Sequence, residues 1–400
     1  MDQQKVRIAE KIDSLREELL TLSHNIHANP EIGYQEHKAA GFLTEFLKSQ
    51  GFEVEEHYCD VETSFRAVKK GNGAGPRVTF LAEYDALRGV GHGCGHNIIA
   101  TCAAGAFVGL SEVIADYAGE VSIIGTPAEE GGAGKVILLE RGGFDQSDYA
   151  LMMHPSGGGS NLVGRGGRAA TTIHVKFHGK SAHSSAPSAG VNALSAAISV
   201  FNQIDMLRPT FEIQDNINGV ILEGGTAANV IPELARCEFS LRAETMLRIE
   251  SLIELVKGCI GRAESLIGAK AEVEVEPIYA ERYPNLPMCE AFKQNMAALG
   301  IEMTYPVPGR LYGSSDVGNV SIKIPAIHDY LSITDDKTIM SHSKAYAEAA
   351  ATPQADEICI KGAKGLAMTG LDILADEGFQ KEINDFHAKQ VPEAYKGKYA

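Results

Sequence analysis

VTFLAEYDALRGVGHGCGHNIIA, residues 78–100, carries a strand, a loop and the start of a helix in one run. The first seven residues read as a nearly continuous apolar strand, and an apolar helical stretch follows near 97–116. Continuous apolar strands alternating with helices indicate a mainly parallel sheet covered on both faces. His92, Cys94 and His96 stand on alternate positions with glycine between them, so they can share one side of an extended segment. Thiolate and imidazole are good ligands for Zn²⁺ or a similar ion. The plainer alternative is a glycine-rich turn holding an ordinary buried cysteine. The stretch follows a strand, so it lies at the C-terminal edge of the sheet, where open α/β sheets bind their ligands.

Reading outward, Ile8, Ile12, Leu15, Leu19, Leu22 and Ile26 form one apolar stripe, which predicts a long helix stopped at Asn29-Pro30. A second helix is expected near 35–50. Strands are expected at FEVEEHY (52–58), VSIIG (121–125) and YALMMH (149–154), with another helix near 133–141. From about residue 169 the pattern changes. TTIHVKFH alternates polar and apolar, as in a sheet with one face toward water. A helix at 190–206, strands NGVILEG and ARCEFSLRA, a helix at 245–267 and a strand AEVEVEP complete the order β-α-β-β-α-β of a ferredoxin-like unit. RYPNLP (282–287) closes it. The expectation is an α/β domain made of residues 1–168 and 284–400, with residues 169–283 inserted.

Bulk composition narrows the function. With 44% apolar and 22% charged residues the chain is globular, and 400 residues suit two domains. A net charge of −16 argues against a nucleic-acid partner, whose phosphates demand basic clusters. No apolar run is long enough to span a membrane, and the N-terminus has no apolar leader, so a cytoplasmic location is expected. Seven scattered cysteines fit a reducing compartment. GGAGKV (131–136) lacks the first glycine and the Ser/Thr of a phosphate loop, and GRGGRA (164–169) precedes a strand where a dinucleotide fingerprint needs a helix. No G-x-S-x-G elbow is present.

Other ligand-type residues gather at the same sheet edge. Glu129 and Glu130 follow the strand VSIIG, and two adjacent acids repel unless a cation is close. His154 ends the next strand; alone it reads as a turn residue. Three successive strands thus deliver Cys94 and His96, then Glu129 and Glu130, then His154. That is more than one tetrahedral ion accepts while leaving room for water, so two cations about 4 Å apart are expected.

The runs NPEIGYQEH (29–37), AEYDALRGVGHGCGHN (82–97), PAEEGGAG (127–134), MHPSGG (153–158), GKSAHSSAP (179–187), NVIP (229–232) and GSSDVGNVS (313–321) resemble the M20 peptidase family. They are most similar to its aminoacylase-like amidohydrolase branch, with p-aminobenzoyl-glutamate hydrolase subunits and M20-domain dipeptidases. The resemblance implies a zinc-peptidase-like catalytic domain with a mainly parallel sheet, plus an inserted ferredoxin-like lid or dimerisation domain. It implies hydrolysis of an amide beside a free carboxylate, in a small dipeptide or an N-acyl or N-aroyl amino acid. By the family's pattern Cys94, His96, Glu130, His154 and His342 would hold two divalent ions, zinc first, with manganese or cobalt as alternatives. Glu129 would be the general base on a metal-bridged water, and Asp85 would support the ligands. His183 would help stabilise the oxyanion, and Asn229 and Arg242 would contact the substrate. A homodimer through the inserted domain is implied. HSKAY replaces the branch's common HSP around His342, which leaves His328 as a rival. A catalytically weak subunit serving a partner chain is the alternative function.

Overall fold

The structure is a computed structural model that describes residues 2–309 and 312–398. Among the described residues there are ten strands: β1 Val54–Glu56, β2 Phe65–Lys70, β3 Arg77–Ala82, β4 Glu120–Gly125, β5 Tyr149–Ser156, β6 Ala169–His178, β7 Asn216–Glu223, β8 Leu234–Ala243, β9 Lys270–Val275 and β10 Ala326–Ser332. They form two sheets in two units, one made of residues 1–166 and 282–400 and the other of residues 167–281.

In the first unit the strand order is β1-β2-β4-β3-β5-β10. β3 pairs in parallel with β4 and β5, and β5 with β10, whereas β1, β2 and β4 are joined antiparallel. Side chains alternate between two buried faces, as period-two strands require. Phe80, Leu151 and Met153 enter one apolar cluster; Leu81, Ala150 and Met152 enter the other. The helix His96–Ser111 is buried along almost its whole length. Two glycines let neighbouring helices close on it. A Cβ at Gly105 would lie 3.1 Å from Ala363 Cβ, and one at Gly109 would lie 2.6 Å from Ile12 Cδ1.

The second unit is a four-stranded antiparallel sheet, β7-β8-β6-β9, with helices Ala193–Leu207 and Met246–Ile267 packed on its apolar face. Ile173, Val175 and Phe177 of β6 are buried, while His174 and His178 on its other face meet Glu276 and Glu272.

Two local expectations need correction, and one strand was not expected. The first long helix is two, Gln3–Ser14 and Arg16–Ala28, because the backbone leaves helical geometry at Leu15 (φ −102°, ψ 8°). The apolar stripe runs through that break and hides it. The strand at 52–58 shrinks to β1, since His57 takes a left-handed conformation that ends it. β2 was not anticipated: it is short and ends in two exposed lysines. Among the described residues no helix is long and apolar enough to cross a membrane.

Candidate metal centre

β4, β3 and β5 lie side by side and parallel, so their C-terminal ends open on one edge of the sheet. Glu83 and Asp85 follow β3, Glu129 and Glu130 follow β4, and His154 lies near the end of β5. Cys94 is buried in the loop ahead of helix His96–Ser111, and His96 is that helix's first residue. Gly95, at φ 72°, joins them; a Cβ there would sit 2.6 Å from Pro155 Cγ, so only glycine lets this loop close against the end of β5.

Hydrogen bonds fix which imidazole nitrogen faces inward. His96 Nδ1 donates to Asp85 Oδ1 at 3.0 Å, and Asp85 Oδ2 accepts the Glu130 N–H at 2.8 Å. His96 Nε2 is left as a buried lone pair without a hydrogen-bond partner, 3.6 Å from Glu83 Oε2 and 3.9 Å from Glu130 Oε1. His154 Nδ1 donates to the Pro155 carbonyl at 2.5 Å, again freeing Nε2. His342 is held by its N–H to the Gly93 carbonyl (2.8 Å), in a left-handed backbone of φ 66°. Its Nε2 lies 3.7 Å from Glu130 Oε1.

Four overlapping sets have ligand atoms within 4.8 Å of one another: Cys94, Glu130 and His342; His96, Glu129 and Glu130; Glu83, His96 and His154; and Glu83, Glu129 and Asp316. The structure therefore brings Cys94, His96, Glu129, Glu130, His154 and His342 into one linked cluster, with Asp85 beside it. The rival His328 is buried on β10, its ring 5.2 Å from that of His154, and takes a hydrogen bond from Arg282. His92 gives Nε2 to the Ile26 carbonyl at 3.1 Å and belongs to none of the sets.

Crowding of the acids and burial shift the titration of the cluster. Burial, then the charges of Glu83, Glu130 and Asp316, push the Glu129 carboxyl well above its usual range. Burial and Glu130 likewise hold the Cys94 thiol high. Burial opposes the charge on His96, yet Asp85, Glu83 and Glu130 together raise it to about 10. A cation among these groups reverses each tendency, favouring thiolate, carboxylate and neutral imidazole. Orphaned His96 Nε2 and Glu130 Oε1, in a mixed sulfur, nitrogen and oxygen donor set, suit a borderline divalent ion.

Three participants escaped the sequence reading. Lys135 is fully buried, with Nζ 2.5 Å from Glu83 Oε1 and 2.7 Å from Asp316 Oδ1. Burial works against its charge, but Asp316, Glu83 and Glu129 hold it above the ordinary lysine value. Burial, partly offset by Lys135, lifts Asp316 to about 6. The available signal was a lone lysine opening the apolar helical run KVILL inside the discarded phosphate-loop candidate.

His183, Asn229 and Arg242 all lie in the second unit. His183 and Asn229 are neighbours, the Ser184 N–H donating to the Asn229 carbonyl at 2.9 Å. His183 is exposed and its Nδ1 pairs with Ser185 Oγ at 2.8 Å. Arg242 sits on β8, paired between Ala170 and Asn216.

Comparison with known proteins adds the ancestry. Residues 165–265 match a peptidase dimerisation domain of M20 type. Over 400 residues the chain is 36% identical to the Xaa-Arg dipeptidase of Mus musculus, spanning 95% of this chain and 92% of that protein. The chain belongs to the M20 peptidase family. This M20 chain is also 26% identical to a p-aminobenzoyl-glutamate hydrolase polypeptide of Escherichia coli, over 73% of its length and 65% of the relative's. Among solved structures it shares its fold with a Bacillus subtilis protein described as a dinuclear metal binding peptidase of the M20 family (TM-score 0.63, 21% identity, 90% of this chain and 99% of that one).

Proposed function

We propose that this M20 peptidase hydrolyses the amide bond of a small dipeptide or an N-acyl or N-aroyl amino acid with a free carboxylate, using two divalent cations. The observation that carries the reading is the chain of overlapping ligand sets from His342 and Cys94 through Glu130 and His96 to His154. Cys94, Glu130 and His342 would hold one ion, and His96 and His154 the other, with Glu130 shared between them. Zinc suits the donors best, with manganese and cobalt as alternatives. When bound, the cations would polarise the scissile carbonyl and acidify an attacking water.

Glu129 is the proton carrier. Its carboxyl is buried beside His96 and Glu130, next to the proposed ions, a position that suits a group taking a proton from water and returning it to the leaving amine. Asp85 fixes the His96 tautomer and, through the Glu130 N–H, the loop that carries both glutamates. His183, Asn229 and Arg242 are assigned to oxyanion and substrate contacts by their motifs, and the dimerisation-domain match supports assembly into a homodimer. Seven free cysteines fit a cytoplasmic setting. A catalytically weak partner subunit is disfavoured, because Glu129 and the ligand residues are all present and adjacent. The names of the relatives favour Xaa-Arg dipeptides and aminobenzoyl-glutamate as substrates. The purified chain, loaded with each metal in turn, is tested on these and on N-acetyl amino acids. Metal-dependent release of amine is expected, and none from any member of the panel refutes the proposal.

A further inference from the structure

Beside His154, on the side away from Cys94 and His342 in the ligand chain, the first unit holds positive charge that the proposed reaction has not used. Arg282 is only 7% exposed, yet among the described residues it makes no ion pair. One terminal nitrogen donates to His328 Nδ1 and the other to the Gly166 carbonyl at 2.9 Å, while Nε is buried without a hydrogen-bond partner. Arg165 lies with its guanidinium carbon 4.1 Å from the Tyr330 ring centroid and 4.4 Å from that of Tyr312. Asp329 feels the charge of Arg282 but forms no ion pair or hydrogen bond with it: its Oδ1 is engaged by the Gly164 N–H and the Cys289 thiol, and its Oδ2 is buried without a hydrogen-bond partner.

The histidine sharpens the picture. A guanidinium only donates, so His328 Nδ1 must accept. With Nδ1 accepting, the proton of the ring sits on Nε2, a buried donor without a partner. His328 and Tyr330 each lie 5.2 Å, ring to ring, from His154. A buried guanidinium and a buried N–H, both short of acceptors, are costly unless an anion completes them.

We infer that Arg165, Arg282 and His328 form a carboxylate-binding subsite next to His154, which holds a carboxylate of the substrate close to the scissile amide. The planar fork of arginine matches a carboxylate, and the rings of Tyr330 and Tyr312 hold the Arg165 guanidinium in place. This deepens the amidohydrolase reading and rests on it for the identity of the bound molecule. It also places carboxylate recognition in the unit that carries the ligand cluster, in addition to the family-derived assignment to Arg242.

The test uses 3-benzoylpropionate, in which a methylene replaces the amide nitrogen so that it cannot be cleaved, and its neutral amide. Both are titrated calorimetrically into the metal-loaded protein. The carboxylate is expected to bind about 10- to 100-fold more tightly than the amide. Arg282→Met and Arg165→Met should each remove that preference with bound metal unchanged; the half-buried Arg165 keeps the test open should the Arg282 variant misfold. No preference in the wild type, a preference that survives both variants, one lost only in Arg242→Met, or one lost together with the metal overturns the subsite. Hydrolysis of the amide panel is scored separately. An arginine-dependent preference in a chain that cleaves nothing would sustain the subsite and refute the amidohydrolase, and the converse result would do the opposite.

Discussion

Lys135 Nζ lies 2.7 Å from Asp316 Oδ1 although 181 residues separate them in sequence, and neither side chain reaches solvent. Glu83 takes the other side of the ammonium, and Glu129 is grouped with both acids. One buried cation thus separates Glu83 and Asp316, while Cys94, Glu130 and His342 form a set of their own that contains none of these residues.

Replacing Lys135 with methionine should therefore destabilise the chain by about 3–5 kcal/mol, since it strands buried carboxylates without their partner. Denaturant unfolding measures this, and a loss below about 1 kcal/mol would contradict the arrangement described.

Glu129→Gln keeps the shape of the side chain and removes its capacity to carry a proton. Turnover should fall about 10²- to 10⁴-fold while metal content, read by mass spectrometry, stays at the wild-type value. Retained activity, or metal lost along with activity, would remove Glu129 from the role of base.

Chelation should abolish hydrolysis and lower the thermal midpoint, because the bound ions stabilise only the folded chain; at 100 times the dissociation constant that stabilisation is about 2.7 kcal/mol. Cys94→Ala should cut metal content as well, since the thiol shares a ligand set with Glu130 and His342. An unchanged midpoint after exhaustive chelation, with activity intact, would contradict a metal centre.

Glu36 offers a pH signature. Its buried carboxylate accepts the Ala128 N–H at 2.8 Å and the Thr63 hydroxyl at 2.9 Å, which anchors the loop leading to Glu129. Burial, then the charge of Asp85, raises it from 4.5 to about 7. Between those values the folded chain holds the proton more tightly than the unfolded chain does. This contribution is therefore fully present below pH 4.5 and is lost as pH rises toward 7. Glu36→Gln has no such slope, so the stability of the wild type relative to the variant should drop by roughly 3 kcal/mol across that window. Unfolding curves at the two ends of the window measure it; parallel behaviour of the two proteins would contradict the shift.

Much of this architecture was legible because apolar runs such as VTFLAEY and YALMMH keep strand length and alternate with helices, and because β6 changes to strict alternation. β2 was not legible, since FRAVKK is half polar; it pairs antiparallel with β1 on one side and β4 on the other. The ligand-type residues were visible as motifs at strand ends. Glu83 was not, because it reads as the polar interruption of an apolar strand, and its significance depends on Lys135 and Asp316, which only the folded chain brings near. Arg282 was hidden for the same reason: His328 could be seen in the sequence only as a rival ligand, and the contact between the two side chains, 46 residues apart, and the burial of the arginine exist only in the folded chain.

Gly95 has a consequence for how such a chain can change. Its missing side chain is the clearance between the turn bearing Cys94 and His96 and the proline that follows His154. Even an alanine would drive a wedge between those two arms, and the wedge would act on sulfur and imidazole together. The approach of the Cys94–His96 turn to the end of β5 is thus set by the backbone at one residue, which carries no ligand atom of its own.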